Sequence, residues 1–336
     1  MYLILRTFLH ILQSKIECPF MKKVLTVAIF LLFTQVGVMA QQDPQFSQYA
    51  FNHLFLNPAA AGSENQTKIQ AIYRYQYLGY TGTFDKGGSP ITQMVSANIP
   101  LNMIKSGVGI HFVNDQLGGG NIGREFQLSY AYKIPVGGSQ LALGVSSGFH
   151  TQAIDYDVLR PRDQDDPLIG SGKVSQTKPD IGAGVYLYNS GYTLGLSMKH
   201  INQPTFGLGT QLAKNPLNRS LYLTGSFLIG VSYTLDITPI FVIKSDMKTI
   251  SPEAGAIATY DNRFWAGVNY RWQDAASLLV GTTFLNNSMR IGYAFDWITA
   301  GVYAKSTTSH EILLSYVLAP PRAGKKSIIR TPRYRY

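Results

Sequence analysis

Residues 127–134 read Gln127-Leu128-Ser129-Tyr130-Ala131-Tyr132-Lys133-Ile134. Leu128, Tyr130, Tyr132 and Ile134 form one set, and Gln127, Ser129, Ala131 and Lys133 the other. A period of two is a β-strand with unlike faces. The same pattern returns where Phe264, Ala266, Val268, Tyr270 and Trp272 alternate with Trp265, Gly267, Asn269 and Arg271, and where Met289, Ile291, Tyr293, Phe295 and Trp297 alternate with Arg290, Gly292, Ala294 and Asp296. In a soluble sandwich the apolar face would be the core. Two features point elsewhere: the second face mixes Gly, Ala, Ser, Asn, Arg and Asp, and the aromatics gather at strand ends, as in Tyr270-Arg271-Trp272 and Phe295-Asp296-Trp297. An apolar outer band with aromatic girdles and a polar interior is the pattern of an outer-membrane barrel.

The period persists from about Lys68 to Leu318 and predicts an all-β, transmembrane, antiparallel up-and-down β-barrel. Fourteen strands are expected, near 68–78, 91–99, 106–114, 123–134, 139–153, 179–189, 191–201, 218–235, 237–247, 253–261, 263–273, 275–285, 287–297 and 308–318; twelve and sixteen stay open, because 218–235 has room for a bend. Most match the roughly 9–11 residues that a tilted strand needs to cross a bilayer. The odd-numbered links are mostly long (79–90, 115–122, 154–178, 202–217, 248–252, 298–307), with a short one at Asp274. The even-numbered links are mostly tight (99–105, 135–138, Ser190, Asp236, Asn262, Asn286). Longer extracellular loops and short periplasmic turns follow, and an even strand count puts both termini in the periplasm.

Met21-Lys22-Lys23, the apolar run Val24–Val36 and Val38-Met39-Ala40 read as a signal peptide over 21–40, and residues 1–20 as an extension upstream of the true start. The single cysteine, Cys18, lies before that boundary, so residues 41–336 can form neither a disulfide framework nor a thiolate metal site. The formal charge of +10 is unevenly spread. Residues 319–336 hold Arg322, Lys325, Lys326, Arg330, Arg333 and Arg335 and no acid, whereas 41–318 are near neutral. A near-neutral body with a basic tail lacks the broad basic face of a nucleic-acid binder.

Motifs for chemistry are weak. Gly118-Gly119-Gly120-Asn121-Ile122-Gly123 matches G-x-G-x-x-G, but a strand pattern follows where a dinucleotide site needs a helix, so it reads as a flexible loop between strands. Gly144-Val145-Ser146-Ser147-Gly148 matches the nucleophile elbow but sits inside an alternating strand, with no identifiable His and acid partners. An outer-membrane lipase using Ser146 is therefore a minor reading, and the expectation is no enzyme and no cofactor. Asp163, Asp165 and Asp166, in an acidic loop with Asp155 and Asp157, are weak metal candidates without EF-hand spacing. His111, His150, His200 and His310 are scattered singly and read as wall or rim residues rather than a metal set.

The segment before the first strand, Gln48-Tyr49-Ala50-Phe51-Asn52-His53-Leu54-Phe55-Leu56-Asn57-Pro58-Ala59-Ala60-Ala61-Gly62, is neither a convincing helix nor a strand. Together with Asp43-Pro44-Gln45-Phe46-Ser47 it resembles the N-terminal signature of the PorP/SprF family of the type IX secretion system. Ser309–Tyr316 looks like that family's final strand, and Arg330–Tyr336 like an ending seen in some members. The resemblance implies an outer-membrane barrel that works with the secretion motor and periplasmic components, or that helps a particular large surface adhesin to be secreted and retained, as in gliding motility. It carries no catalytic residues.

Residues 41–66 are accordingly expected to be an ordered periplasmic or plug-like segment, 67–318 the barrel and 319–336 a periplasmic tail. Tyr49, Phe51, Asn52, Phe55, Asn57, Pro58, Arg330, Arg333 and Arg335 are the candidate partner-binding residues, with outer-membrane lipid, the secretion machinery and a secreted client as partners. The alternative is a porin-like or fatty-acid-type transporter, since Asn269, Arg271, Arg290 and Asp296 could line a water-filled passage.

Overall fold

The structure is a computed structural model that describes residues 43–64, 66–80, 88–159, 171–208, 215–300 and 306–318. The weak metal candidates Asp163, Asp165 and Asp166, the leader, and Arg330, Arg333 and Arg335 lie outside the described residues.

Fourteen antiparallel strands form one sheet: β1 (Lys68–Tyr75), β2 (Ile91–Leu101), β3 (Ser106–Gly118), β4 (Asn121–Val136), β5 (Ser139–Asp155), β6 (Lys173–Tyr188), β7 (Tyr192–Lys199), β8 (Ser220–Phe227), β9 (Leu235–Ser245), β10 (Ile250–Tyr260), β11 (Phe264–Arg271), β12 (Ala275–Phe284), β13 (Met289–Ile298) and β14 (Thr308–Val317). Each strand pairs with its neighbours in sequence. The first pairs with the last, with Lys68 opposite Val317 and Tyr75 opposite His310, and this closes the sheet into a barrel. Closure leaves no edge strand with unpaired backbone groups, a requirement inside a bilayer.

The faces are inverted relative to a soluble protein. On β4, Phe126, Leu128, Tyr130 and Tyr132 are exposed, while Glu125, Gln127, Ser129, Ala131 and Lys133 are buried. On β11, Phe264, Val268 and Tyr270 face outward and Trp265, Asn269 and Arg271 inward. Exposed side chains of this kind run around the barrel, from Ile69 and Tyr73 on β1 to Ile312 and Leu314 on β14. Such an apolar exterior is stable against hydrocarbon and costly against water. Among the described residues no helix is long and apolar enough to cross a membrane.

Three expected boundaries move. The stretch 115–122 is not a loop: β3 and β4 run on to Gly118 and Asn121 and are joined by Gly119-Gly120, all three glycines having positive φ. The expected sixth strand begins at Lys173, because β5 and β6 continue their pairing to Asp155↔Lys173. The stretch 218–235 does bend. The chain leaves its ladder after Phe227, Ile229-Gly230 pairs with Asp236-Ile237, and the turn falls at 231–234 instead of Asp236. The tight turn at Asn262 is as expected, with Asp261 and Asn262 both at positive φ and three residues, 261–263, between the paired Tyr260 and Phe264.

Candidate functional site

Residues 43–62 lie within the barrel and touch its inward face from Arg74 on β1 round to Glu311 on β14. Short helical turns at Tyr49–Phe51, His53–Leu56 and Pro58–Ala60 fold this segment. Asn57 starts the third: its side chain accepts from the Ala59 amide at 2.9 Å, and Pro58, with its φ preset and no N–H to satisfy, takes the first position. The small residues that follow allow close approach. A Cβ on Gly107 would collide with the Ala61 carbonyl, and one on Gly144 with the Ala59 backbone. We expect Gly144→Val to leave strand pairing intact but displace the segment, so that protease cleaves within 43–62 of the folded barrel while wild type resists.

Two polar clusters anchor the segment. In the first, the Glu311 carboxylate accepts from the backbone amides of Ser47 (2.8 Å) and Gln48 (3.0 Å). Arg74 donates to Glu311 (3.0 Å), to Asp296 (2.6 Å) and to the Ser47 hydroxyl (2.7 Å). Ser47 Oγ in turn donates to Asp296 (2.7 Å), and Asn269 donates to the Ser47 carbonyl (2.9 Å).

In the second, Asp43 accepts from the Tyr222 hydroxyl (2.7 Å) and faces His200 Nε2 (2.8 Å), while Lys244 donates to its carbonyl (2.9 Å). Burial opposes ionisation of Asp43, but the charges of His200, Lys199 and Lys244 outweigh it and hold its carboxyl well below the usual range. His200 Nδ1 faces Asp180 (2.9 Å), and Glu125 joins His111 (3.0 Å) to Lys199 (3.0 Å).

Each described candidate residue of the segment has a place. Tyr49 and Asn52 are buried, the latter donating to Met94 Sδ at 3.3 Å. Phe51 packs against Trp265, with ring centroids 4.7 Å apart. Phe55 lies edge-on to Phe46 and to His111 and beneath Lys199 Nζ, 4.0 Å from its centroid. Asn57 donates to the Val185 carbonyl at 2.9 Å.

Strand alternation alone could not reveal that His111, His150 and His200 converge on one cluster; the registers of the consecutive strands β3 to β7 bring them together, with Glu125 on β4 directly opposite His150 on β5. The available signal was their inward parity beside Glu125 and Lys199. His310 is apart from them, on the outer face against Tyr293.

Asp43, Glu125 and His200 place ligand-type atoms within 4.8 Å of one another. A cation there would compete with Lys199, already 2.9 Å from Glu125, and with the His200 bonds to both aspartates. The cluster thus has the chemistry of an internally paired network rather than of a metal centre. Ser146 lies within β5, paired with Ser129, and not at the strand-to-helix turn that an elbow serine needs. The Gly118–Gly123 stretch leads into β4 and not into a helix.

A closed fourteen-stranded barrel, apolar outside and with polar clusters and an apolar patch within, which a segment of its own chain fills, is an outer-membrane barrel whose interior is occupied. The chain belongs to the family described as type IX secretion system membrane protein PorP/SprF, whose model matches residues 38–316. Similar solved structures include the CymD monoaromatic hydrocarbon channel (13% identity, 80% of this chain and 92% of that one, TM-score 0.49). Others are the Pseudomonas putida toluene transporter TodX (10%, 79% and 92%, 0.46) and the Acinetobacter baumannii outer membrane protein Omp33 (6%, 75% and 98%, 0.44). A comparison with curated proteins gives no match.

Proposed function

We propose that this type IX secretion barrel is not an enzyme and acts through protein–protein contacts that support the secretion and surface attachment of a large client, gliding adhesins being the expected kind. Residues 43–62 serve as its plug. The rim at which β1 begins and β14 ends faces the periplasm with the C-terminal tail, where Arg330, Arg333 and Arg335 meet the machinery, and the opposite loops, near which Asp43 lies against His200 and Lys244, meet the client.

The observation that carries this reading is the occupied lumen. Asn269 and Asp296, which would line a pore, bond Ser47 instead, and Arg271 is paired with Glu253 at 2.9 Å. A transporter needs a passage, whereas a docking barrel does not. Deleting the gene is expected to abolish surface display of the client while leaving small-molecule uptake unchanged. Normal display in the deletion strain would overturn the proposal.

A further inference from the structure

The rim at which β1 begins and β14 ends holds a cavity of about 320 Å³, lined by Phe51, Glu64, Lys68, Tyr186, Ser288 and Arg290 among others, with the Glu64 carboxylate paired to Lys68. Its size is at the low end of the roughly 300–1,000 Å³ that ligand sites occupy. Arg290 lies on β13 with the inward parity of Gly292, Ala294 and Asp296. Its guanidinium carbon sits 4.6 Å from the Phe51 ring centroid, and the side chain is half-buried.

Four other cations along the lumen have carboxylate partners, while Lys133 and Lys244 bond the backbone carbonyls of Gly62 and Asp43. Arg74 holds Asp296 and Glu311, Arg271 holds Glu253 and Asp274, Lys199 holds Glu125, and Lys68 holds Glu64. Among the described residues Arg290 makes no such pair; its contact is with the Phe51 ring. A guanidinium pinned by one face to an aromatic ring keeps its donor edge free, and that edge matches a carboxylate bidentately.

The geometry points to a binding site for a peptide carboxylate. An Asp or Glu side chain of a partner protein enters the rim cavity, pairs with Arg290 and packs its stem against Phe51 and Tyr186. The chain's own tail is a poor occupant, since residues 319–336 carry six basic side chains and no acidic one. Placing this opening in the periplasm rests on the orientation proposed above; the carboxylate site itself does not.

The test uses the full chain purified in detergent. With Cys18→Ser, Ser288→Cys gives the full chain a single thiol, at the cavity wall, for an environment-sensitive fluorophore. A glutamate-rich hexapeptide containing one Phe should shift its emission saturably, and the matched glutamine peptide should bind about tenfold more weakly or worse. Arg290→Gln should lower affinity for the glutamate peptide by a similar factor. Arg290→Lys, which keeps the charge but loses the fork, should lower it several-fold, and it stands as the test if the Gln variant fails the heat-shift assay for folded barrel.

Equal binding of the two peptides, or wild-type affinity in the Arg290 variants, would overturn the assignment. So would displacement by equimolar inorganic phosphate, or binding that appears only after removal of 319–336. Failure of the secretion role would show in the display assay and leave this binding unchanged.

Discussion

Arg74→Leu is expected to destabilise the barrel by about 3–5 kcal/mol, the range for breaking a buried pair by removing one partner. Arg74 is 1% exposed and lies between the carboxylates of Asp296 and Glu311, which are 1% and 0% exposed. Losing the guanidinium leaves two buried acids facing each other without their shared cation. Because Glu311 also accepts the Ser47 and Gln48 amides, protonation or reorientation of that carboxylate loosens the segment as well as the wall.

Urea unfolding of the refolded barrel in lipid should show the loss, and protease should reach residues 43–48 before global unfolding. Arg74→Lys should cost less, since an ammonium keeps the charge but cannot reproduce the fork that spans both acids. Tyr73→Leu, on the exposed face of the same strand, should change stability by no more than about 0.5 kcal/mol. An effect on Arg74→Leu as small as that would mean that the cluster is not what fastens the segment.

Much of the wall was legible because alternation is a local signal. Phe264–Arg271 and Thr308–Val317 fall within two residues of the expected strands, since each residue's face follows from its neighbours'. The errors arose where alternation continues through a turn. Glycines at 118–120 resemble a loop by composition, yet their freedom at positive φ lets two strands run on to a tight turn. At 218–235 the pattern runs past Phe227, while the paired chain does not.

The segment inside the barrel was only half legible. Its aromatics and Asn57-Pro58 marked it as ordered chain, but its partners are set by closure. Ser47 meets Glu311 across 264 positions, and Asp43 meets Tyr222 across 179. Arg74 showed the same limit: in sequence it is one polar residue on an alternating strand, and only the joining of β1 to β14 places it between two acids. Asn269, Arg271 and Asp296 were correctly read as inward-facing, but the sequence could not say whether water or protein would meet them.

Deletion of residues 43–62 is expected to turn a silent barrel into a steadily conducting one in planar bilayers. The wall should survive the loss. Its strand ladders involve no residue of the segment, and Arg74 with Asp296 and Glu311, Arg271 with Glu253, and Lys199 with Glu125 are pairs within the wall itself. What the deletion exposes is a mixed lining: charged and amide side chains, which water can solvate, and an apolar patch that includes Ile72, Met94, Val113, Trp265, Leu279 and Leu313, which packed against Phe46, Tyr49 and Phe55. Barrels of somewhat greater strand number hold an aqueous channel when nothing fills them.

The full chain should show no comparable steps, and the 43–62 peptide added to the deleted barrel should reduce the current, because its anchors are hydrogen bonds and ring contacts with sites already formed. Phe206, Leu208 and Leu217 form a separate buried cluster in the 200–219 link, to which Ile154 adds and against whose Phe206 the inward-facing His150 packs. A folded deletion variant that stays silent would therefore assign closure to this loop cover, and not to the segment. A full chain that conducts as well as the variant would mean that residues 43–62 leave a path open, and the transporter reading would take the place of the docking barrel.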